Sequence, residues 1–268
     1  MIEEYEYHSY EPITGTDLNR PGEIRMNIET QDLFTHPSES YLVFDSKLVK
    51  NADDAVYGNN DIITLTNNAL MYLFSNIKYQ LSGQEIESLF HPGQATKMLG
   101  LLKFLDDFQK STGLNQLWYT DAATDASIAG NNKNNGFASI FDHCNLTNMF
   151  VMLNSRRYPE IDYDDTNFTQ QKFSRVDGDA AAFRTKFYNV EELIFSPNIT
   201  PSDYKELFPM FVFDVTKQSK KLKNSVTDIQ IKTQFSENVP ANTEAFAVVI
   251  SDKSLIFQSD GQKMHVEY

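Results

Sequence analysis

The densest group of chemically versatile side chains is Asp142, His143 and Cys144, which place an acid, an imidazole and a thiol in consecutive positions. A thiolate activated by a neighbouring imidazole is the nucleophile of many cysteine hydrolases. Neighbouring residues of a strand, however, point to opposite faces, so adjacency in the sequence separates these side chains. The pattern therefore favours an inert, partly buried thiol over a catalytic Cys144.

Patterns typical of metal sites are weak. The acidic run "DYDD" at 162–165 could bind calcium, but it lacks the spaced oxygen ligands and the glycine turn of an EF-hand loop, so a solvated acidic loop is the simpler interpretation. The five histidines are scattered at His8, His36, His91, His143 and His265. No two of them have the spacing that puts two ligands on one element, and one cysteine cannot build a zinc–thiolate site. We predict no metal site.

Motifs for phosphate binding and the nucleophile elbow are absent as well. We therefore predict no catalytic residue, no cofactor-binding residue and no cofactor, and we do not expect an enzyme. A metal enzyme of the cupin kind, with histidines and a carboxylate inside a barrel, is the minor alternative.

Three groups of residues have competing interpretations. Tyr158, Asp162 and Tyr163 could hold a sugar if they shared an exposed loop. Phe183 and Phe187 fit a hydrophobic core better than a stacking platform. The only basic cluster, "SKKLK" at 219–223, is typical of a turn between strands, and a contact to nucleic acid or to an acidic neighbour is the alternative.

Charge and composition narrow the class of partner. The chain of 268 residues has a formal net charge of -14, so strong nucleic-acid binding and attraction to an anionic membrane are not expected. Cys144 is the only cysteine, which excludes an intrachain disulfide. The acidic start does not look like a signal peptide, and the longest apolar runs have the length of strands. We expect an intracellular protein that is not secreted by a classical signal.

The stretch 72–87 has the pattern of a β-hairpin. Apolar and polar side chains alternate up to the turn at Ser82 and Gly83, where glycine adopts positive φ at low cost. Upstream of Asn76 the apolar residues fall on even positions and downstream on odd ones. This change of phase predicts a β-bulge near Asn76.

Other segments have the periods of strands or helices. Strands are predicted at 23–29, 40–48, 61–66, 148–154, 210–215, 226–235, 244–251, 254–258 and 263–268, with a tight turn at 259–262. Helices are predicted at 93–111 and 178–193. A further short helix should begin at Thr200, with Pro201 in its first turn and Asp203 three residues after the cap.

This order of elements indicates an all-β fold with a few helices in the connections, because strands and helices do not alternate as in a doubly wound sheet. Residues 1–22 carry several turn formers and predict an extended N-terminal arm, which leaves 23–268 as the main domain. Small polar residues without periodicity make 121–141 a possible seam within that domain.

Several long segments together resemble one family. Residues 61–104 resemble the early part of double jelly-roll major capsid proteins, most closely those of Polinton/Maverick and adintovirus-like elements, and 10–48 resemble their first strands. The segments 141–159, 199–235 and 245–268 resemble the second jelly roll. Family members are longer, so the chain resembles a shortened form that lacks the middle of the family chain.

The resemblance implies an antiparallel jelly-roll β-sandwich, with early strands of one roll and late strands of the other forming a single composite roll. An intertwined oligomer that completes each sandwich from a neighbour is the alternative. The implied function is a structural, capsid-type subunit, or a host-adopted derivative, in a virion or inside the host cell. Its partner would be itself, as a trimer, pentamer or particle, and other capsid proteins are possible. A carbohydrate- or protein-binding jelly-roll module without a shell is the alternative function.

Overall fold

The structure is a computed structural model that describes residues 6–15, 21–29, 36–50, 55–58, 65–119, 121, 140–163, 165–189, 199–216, 227–259 and 264–267. The chain divides into two compact units, Met1–Ile62 and Ile63–Tyr268. The boundaries predicted from composition, after residue 22 and at the seam 121–141, stay predictions.

In the first unit, short backbone contacts replace the predicted strands. The N–H of Ile13 donates a hydrogen bond to the carbonyl of Arg25 at 2.9 Å, and a single antiparallel bridge joins Val49 to Val56. A 3₁₀ helix spans Pro37–Glu39. The strands predicted at 23–29 and 40–48 are wrong for the described part of this unit, where these residues form no ladder.

The second unit begins with the predicted hairpin, which the structure confirms. Strand β1 (Asn76–Leu81) pairs antiparallel with β2 (Gln84–Phe90). The two turn residues between them both have positive φ, 49° at Ser82 and 80° at Gly83. Two left-handed residues make a turn whose twist matches that of the strands, which explains the choice of glycine here.

The bulge lies elsewhere than predicted. Tyr79 pairs with Glu87 while Gln80 pairs with Glu85, so the extra residue is Ile86 on β2. The prediction near Asn76 is wrong because a short helix, α1 (Ala69–Tyr72), precedes the hairpin. The change of phase in the apolar pattern therefore marks the passage from helix to strand. Residues 61–64 of the predicted strand at 61–66 lie outside the described residues.

The helix predicted at 93–111 is divided into three pieces. Helix α2 spans Pro92–Lys103 and is followed by a 3₁₀ helix (Asp106–Lys110) and by α3 (Thr112–Asn115). The break occurs at Phe104, which is extended with ψ 143°. In this conformation its ring lies 5.1 Å from that of Trp118 in an edge-to-face contact, so tertiary packing overrides the helical pattern.

A three-stranded antiparallel sheet forms the centre of the later half. Strand β3 (Leu146–Leu153) pairs with β4 (Arg156–Tyr158) on one side and with β5 (Ile229–Phe235) on the other. This confirms the strands predicted at 148–154 and 226–235. On β3, Leu146, Val151 and Leu153 are buried.

The remaining helices follow β4. The region predicted as one helix at 178–193 contains α4 (Ser174–Ala181) and α5 (Phe183–Tyr188), and residues 190–193 lie outside the described residues. Helix α6 (Pro201–Glu206) begins as predicted, because the Thr200 side chain accepts a hydrogen bond from the N–H of Asp203 at 3.1 Å. No helix in the described ranges is long and apolar enough to cross a membrane.

The main described core lies among helices and loops rather than between two sheets. Its fully buried centre includes Leu101 of α2, Phe168, Val176 of α4, and Leu207 and Phe208 just after α6. In the part of the chain that the structure describes, the few helices therefore contribute to the core.

The last strands are short. Strand β6 (Ile256–Ser259) pairs antiparallel with β7 (Met264–Glu267), which confirms the strands predicted at 254–258 and 263–268. The turn between them lies outside the described residues. The segments 210–215 and 244–251 form no ladder where they are described, so those two strand predictions are wrong.

Two helix-interior glycines should respond in opposite ways to replacement by alanine. A Cβ on Gly100 would lie 2.7 Å from Cζ3 of the buried Trp118, whereas a Cβ on Gly178 would meet nothing within 4 Å. Alanine gains roughly 1 kcal/mol of helix propensity at either site, but overpacking costs about 1–3 kcal/mol. We expect Gly178→Ala to stabilise the protein and Gly100→Ala to destabilise it, measured by urea unfolding. Equal shifts would contradict the close packing of Gly100 on Trp118.

Candidate functional site

The three residues considered for sugar binding do not form an exposed platform. Tyr163 is buried, its hydroxyl donates to Asp179 at 2.7 Å, and the Arg175 guanidinium lies 4.4 Å from its ring centroid. The Tyr158 hydroxyl is buried. Asp162 forms an ion pair with Arg157 and accepts a hydrogen bond from the Asn148 amide.

This network has a structural role. Burial and the bond to Asp179 raise the pKa of the Tyr163 hydroxyl, so it stays protonated as a donor. The Asn148 side-chain oxygen accepts from the N–H of Tyr163 at 3.3 Å, which attaches the chain after β4 to the middle of β3. The stacking face that a sugar needs is therefore covered by the protein itself.

Asp142, His143 and Cys144 form a tight turn that leads into β3. The Asp142 carboxylate accepts from the N–H of Cys144 at 2.7 Å, and His143 Nδ1 accepts from the N–H of Asn145 at 2.9 Å. The His143 ring stacks on Phe168 with centroids 4.6 Å apart. Cys144 has φ 45°, so the strand geometry assumed in the sequence argument is wrong.

The surroundings of Cys144 affect the ionisation of its thiol. Burial and the neighbouring Asp142 carboxylate raise the pKa of its thiol, which disfavours the nucleophilic thiolate. The His143 ring stacks on Phe168 and accepts a hydrogen bond from the backbone, and both contacts stabilise the turn.

The acidic run and the histidines are not brought together in the described residues. Asp162 pairs with Arg157, Asp165 is exposed, and Asp164 lies outside the described residues. His8 lies 3.5 Å from Glu6, and the His91 ring contacts Phe246. In the ranges that the structure describes, no three His, Cys, Asp or Glu side chains are grouped as a metal site would require.

The aromatic pair on α5 differs from the prediction. Phe183 and Phe187 stack with centroids 5.2 Å apart, but Phe187 is 48% exposed and therefore not a core residue. Tyr188 continues the cluster, with Lys103 5.5 Å from its ring centroid. The basic cluster at 219–223 lies outside the described residues.

A buried charge that the sequence argument missed lies on α2. The Lys97 side chain is 0% exposed, and its Nζ lies 3.3 Å from the Asp121 carboxylate, 5.3 Å from the Trp118 ring and 4.7 Å from the Phe208 ring. Cation–π contacts and one ion pair compensate for part of the lost hydration. Lys97 therefore connects α2 with Asp121, the first residue of the predicted seam, and with Phe208 beyond it. Its position four residues before the buried Leu101, on the apolar stripe, is the signal that could have revealed it.

The pKa of the Lys97 amine reports the balance between burial and the attraction of Asp121. Burial lowers the pKa of Lys97 to about 8, although the Asp121 carboxylate acts in the opposite direction. Burial and the same carboxylate raise the pKa of the Tyr72 hydroxyl.

Stability should therefore rise with pH between about pH 8 and 10. In this window the unfolded Lys97 still binds a proton that the folded state has released, so deprotonation favours folding. Relative to Lys97→Met, we expect the native chain to gain about 2 kcal/mol of unfolding free energy between pH 7.5 and 9.5. Urea titrations of both proteins over this range test the difference, in which the titration of Cys144 and the tyrosines cancels. Parallel pH profiles would contradict a buried, destabilised ammonium.

The feature best suited to function is an uncovered strand face, which we call the β5 face (Ile229, Ile231, Thr233 and Phe235). In an antiparallel pair, directly opposite residues share a face of the sheet. Ile229 lies opposite the buried Leu153, and Ile231 lies opposite the buried Val151. The face that is buried on β3 thus continues onto β5, yet Ile229 is 43% and Ile231 45% exposed.

β5 is also an edge. In the described part of the chain it pairs with β3 alone, and every residue from Ile229 to Phe235 is exposed. An edge strand with an apolar face is a template for another strand. The arrangement can therefore bind a further strand or sheet.

Comparison with known protein families gives a match for the later half of the chain. Residues 123–255 match the family model described as "Double jelly roll-like domain". The match includes β3, β4, β5 and the helices α4 to α6, and it supports a double jelly-roll family for this part of the chain. No curated protein and no solved structure matches significantly.

Proposed function

We propose that the protein is a structural subunit of a viral-type capsid, or a host-adopted derivative of one, that acts by self-assembly and not by catalysis. The observation that carries the proposal is the match of residues 123–255 to a double jelly roll-like domain, since such domains are typical of viral capsid proteins. The relation to Polinton/Maverick and adintovirus-like elements, and the shortening of the chain, belong to the proposal and depend on the resemblance of segments such as 61–104.

The β5 face supports an assembling role. In a jelly roll the apolar face of one sheet packs on a second sheet about 10 Å away. Here the apolar face of the β4–β3–β5 sheet is covered at β3 and uncovered at β5. Such a face in a structural subunit is explained by a cover that a neighbouring subunit supplies.

Contacts between the two halves of the second unit support a composite roll. Lys253 donates to the carbonyl of the bulged residue Ile86 at 2.7 Å, and the His91 ring contacts Phe246. The ammonium of Lys97 also lies over the ring of Phe208. Residues that resemble the first roll thus pack on residues that resemble the second.

The proposed assembly is a trimer or pentamer that builds a particle, in a virion or within the host cell. The net charge of -14 favours a shell that binds its genome weakly or not at all. Other capsid proteins would be secondary partners at the edges of such oligomers.

Sedimentation velocity of the full chain over a wide range of concentration and salt tests self-assembly. We expect species whose masses are multiples of 30.7 kDa, with a larger share at high concentration. A single species of 30.7 kDa under all conditions would contradict the proposal.

A further inference from the structure

We propose that β5 pairs with β5 of a second copy, antiparallel and about a two-fold axis at Gln230. This inference deepens the proposed self-assembly by assigning one interface and its register. It follows from the pattern of residues 227–233, "TDIQIKT", on a strand that has only β3 as a neighbour among the described residues. Read in reverse, this stretch has the same residues, with Asp228 and Lys232 exchanged.

A two-fold axis at Gln230 matches every position of this stretch with a suitable partner. Asp228 lies opposite Lys232 of the second copy, and Ile229 lies opposite its Ile231. Thr227 lies opposite Thr233, and Gln230 lies opposite itself. Opposite charges and β-branched pairs across strands are stabilising. Because the interface is isologous, each pair that joins two different positions occurs twice.

Other registers are worse. A two-fold axis at Lys232 places this lysine opposite its own copy, and a parallel pairing in register repeats both like-charge contacts, Asp228 with Asp228 and Lys232 with Lys232. Like charges directly opposite each other destabilise a strand pair. A two-fold axis at Ile231 places Lys232 opposite Gln230 and Asp228 opposite Gln234, so neither charge lies opposite a residue of opposite charge.

The side chains are placed to make these contacts. Asp228, Gln230 and Lys232 are exposed on one face, and Ile229 and Ile231 are exposed on the other. Pairing would extend the sheet to six strands in the order β4–β3–β5–β5–β3–β4 and would join the two uncovered β5 faces into one apolar strip.

This contact is small compared with the 1,200–2,000 Å² of a standard stable interface, so it binds weakly on its own. In a trimer or pentamer several copies act together, and their combined strength exceeds that of one pair. The two-fold contact is therefore suited to joining neighbouring oligomers in a closed particle.

Disulfide trapping tests the register. In a Cys144→Ser background, Gln230→Cys puts two cysteines directly opposite each other, within the Cα separation of about 4.4–6.8 Å that a disulfide requires. The matched control Gln234→Cys, exposed on the same face of β5, puts them about 26 Å apart, since each strand residue advances about 3.3 Å. We expect an interchain disulfide for Gln230→Cys under mild oxidation and at least tenfold less for the control. Equal yields, or none at Gln230→Cys, would overturn the proposal.

Charge reversal tests the pairing independently. Adding Lys232→Asp to Gln230→Cys creates two acid–acid pairs and should reduce trapping about tenfold, whereas adding Asp228→Lys as well restores complementarity and should restore trapping. Failure of the double reversal to restore trapping would overturn the register.

The same samples distinguish this inference from the proposed function. Oligomers in the native chain without register-specific trapping would overturn the β5 pairing and leave self-assembly intact. Register-specific trapping in a chain that is otherwise monomeric at all concentrations would support the pairing and overturn the capsid function.

Discussion

Replacing Asp121 with Asn should destabilise the protein by about 1 kcal/mol at pH 7, because the ammonium of Lys97 is then buried without its counter-ion. The loss is limited to about 1.4 kcal/mol, which is the free energy of removing a proton one pH unit below a pKa of about 8. Lys97 is 0% exposed, and the Asp121 side chain is 11% exposed. Deprotonation of Lys97 limits the loss, and its pKa should fall below the value of about 8 that it has beside Asp121. Urea unfolding at pH 7 measures the change.

The double variant Lys97→Met with Asp121→Asn should recover most of this loss, since it leaves no buried charge without a counter-ion. The matched control is Asp106→Asn, which breaks the exposed 2.8 Å pair between Asp106 and Lys110. We expect no measurable change from the control. A double variant as unstable as Asp121→Asn alone would contradict the mechanism of an unpaired buried charge.

Phe168→Ala should cost about 3–5 kcal/mol of unfolding free energy. Phe168 is 1% exposed, it belongs to the main described core, and it stacks on His143 and Phe173. Its removal leaves a cavity in the core and removes the ring that holds the turn before β3. Thermal and urea unfolding measure the loss.

The matched control is Phe187→Ala on α5. Phe187 is 48% exposed and stacks on Phe183, so its removal should cost about 1 kcal/mol or less. Equal losses for the two phenylalanines would show that the core centred on Phe168 is misassigned.

Local elements could be predicted from the sequence because neighbouring residues determine them. The hairpin around Gly83 requires only the alternation of its strands and a turn residue that accepts positive φ. The start of α6 requires only Thr200 and Asp203, whose capping contact is local.

Elements that depend on distant partners were predicted less well. The helical pattern continues beyond Lys103, but Phe104 leaves the helix to pack on Trp118. The strands predicted at 40–48 and 244–251 have the right composition, yet a ladder also needs a partner strand at the right place. Propensity describes one segment, whereas a ladder depends on two.

In the candidate site, too, local patterns could be predicted from the sequence and contacts between distant residues could not. The self-complementary stretch at 227–233 is visible in the sequence, but its meaning depends on β5 being an edge of the sheet that the structure describes. The pair of Lys97 and Asp121 joins residues 24 positions apart, and no local sequence pattern indicates that Asp121 is the partner of Lys97. In Tyr163 the sequence shows an aromatic ring near acids but not the arginine that covers it.

The central claim is that copies of this chain assemble into a symmetric structure. Negative-stain electron microscopy of the purified full chain, on the fraction of largest mass, tests it most directly. We predict rings or closed particles whose class averages have three-fold or five-fold symmetry. Class averages that show only single subunits or aggregates without symmetry would contradict the claim.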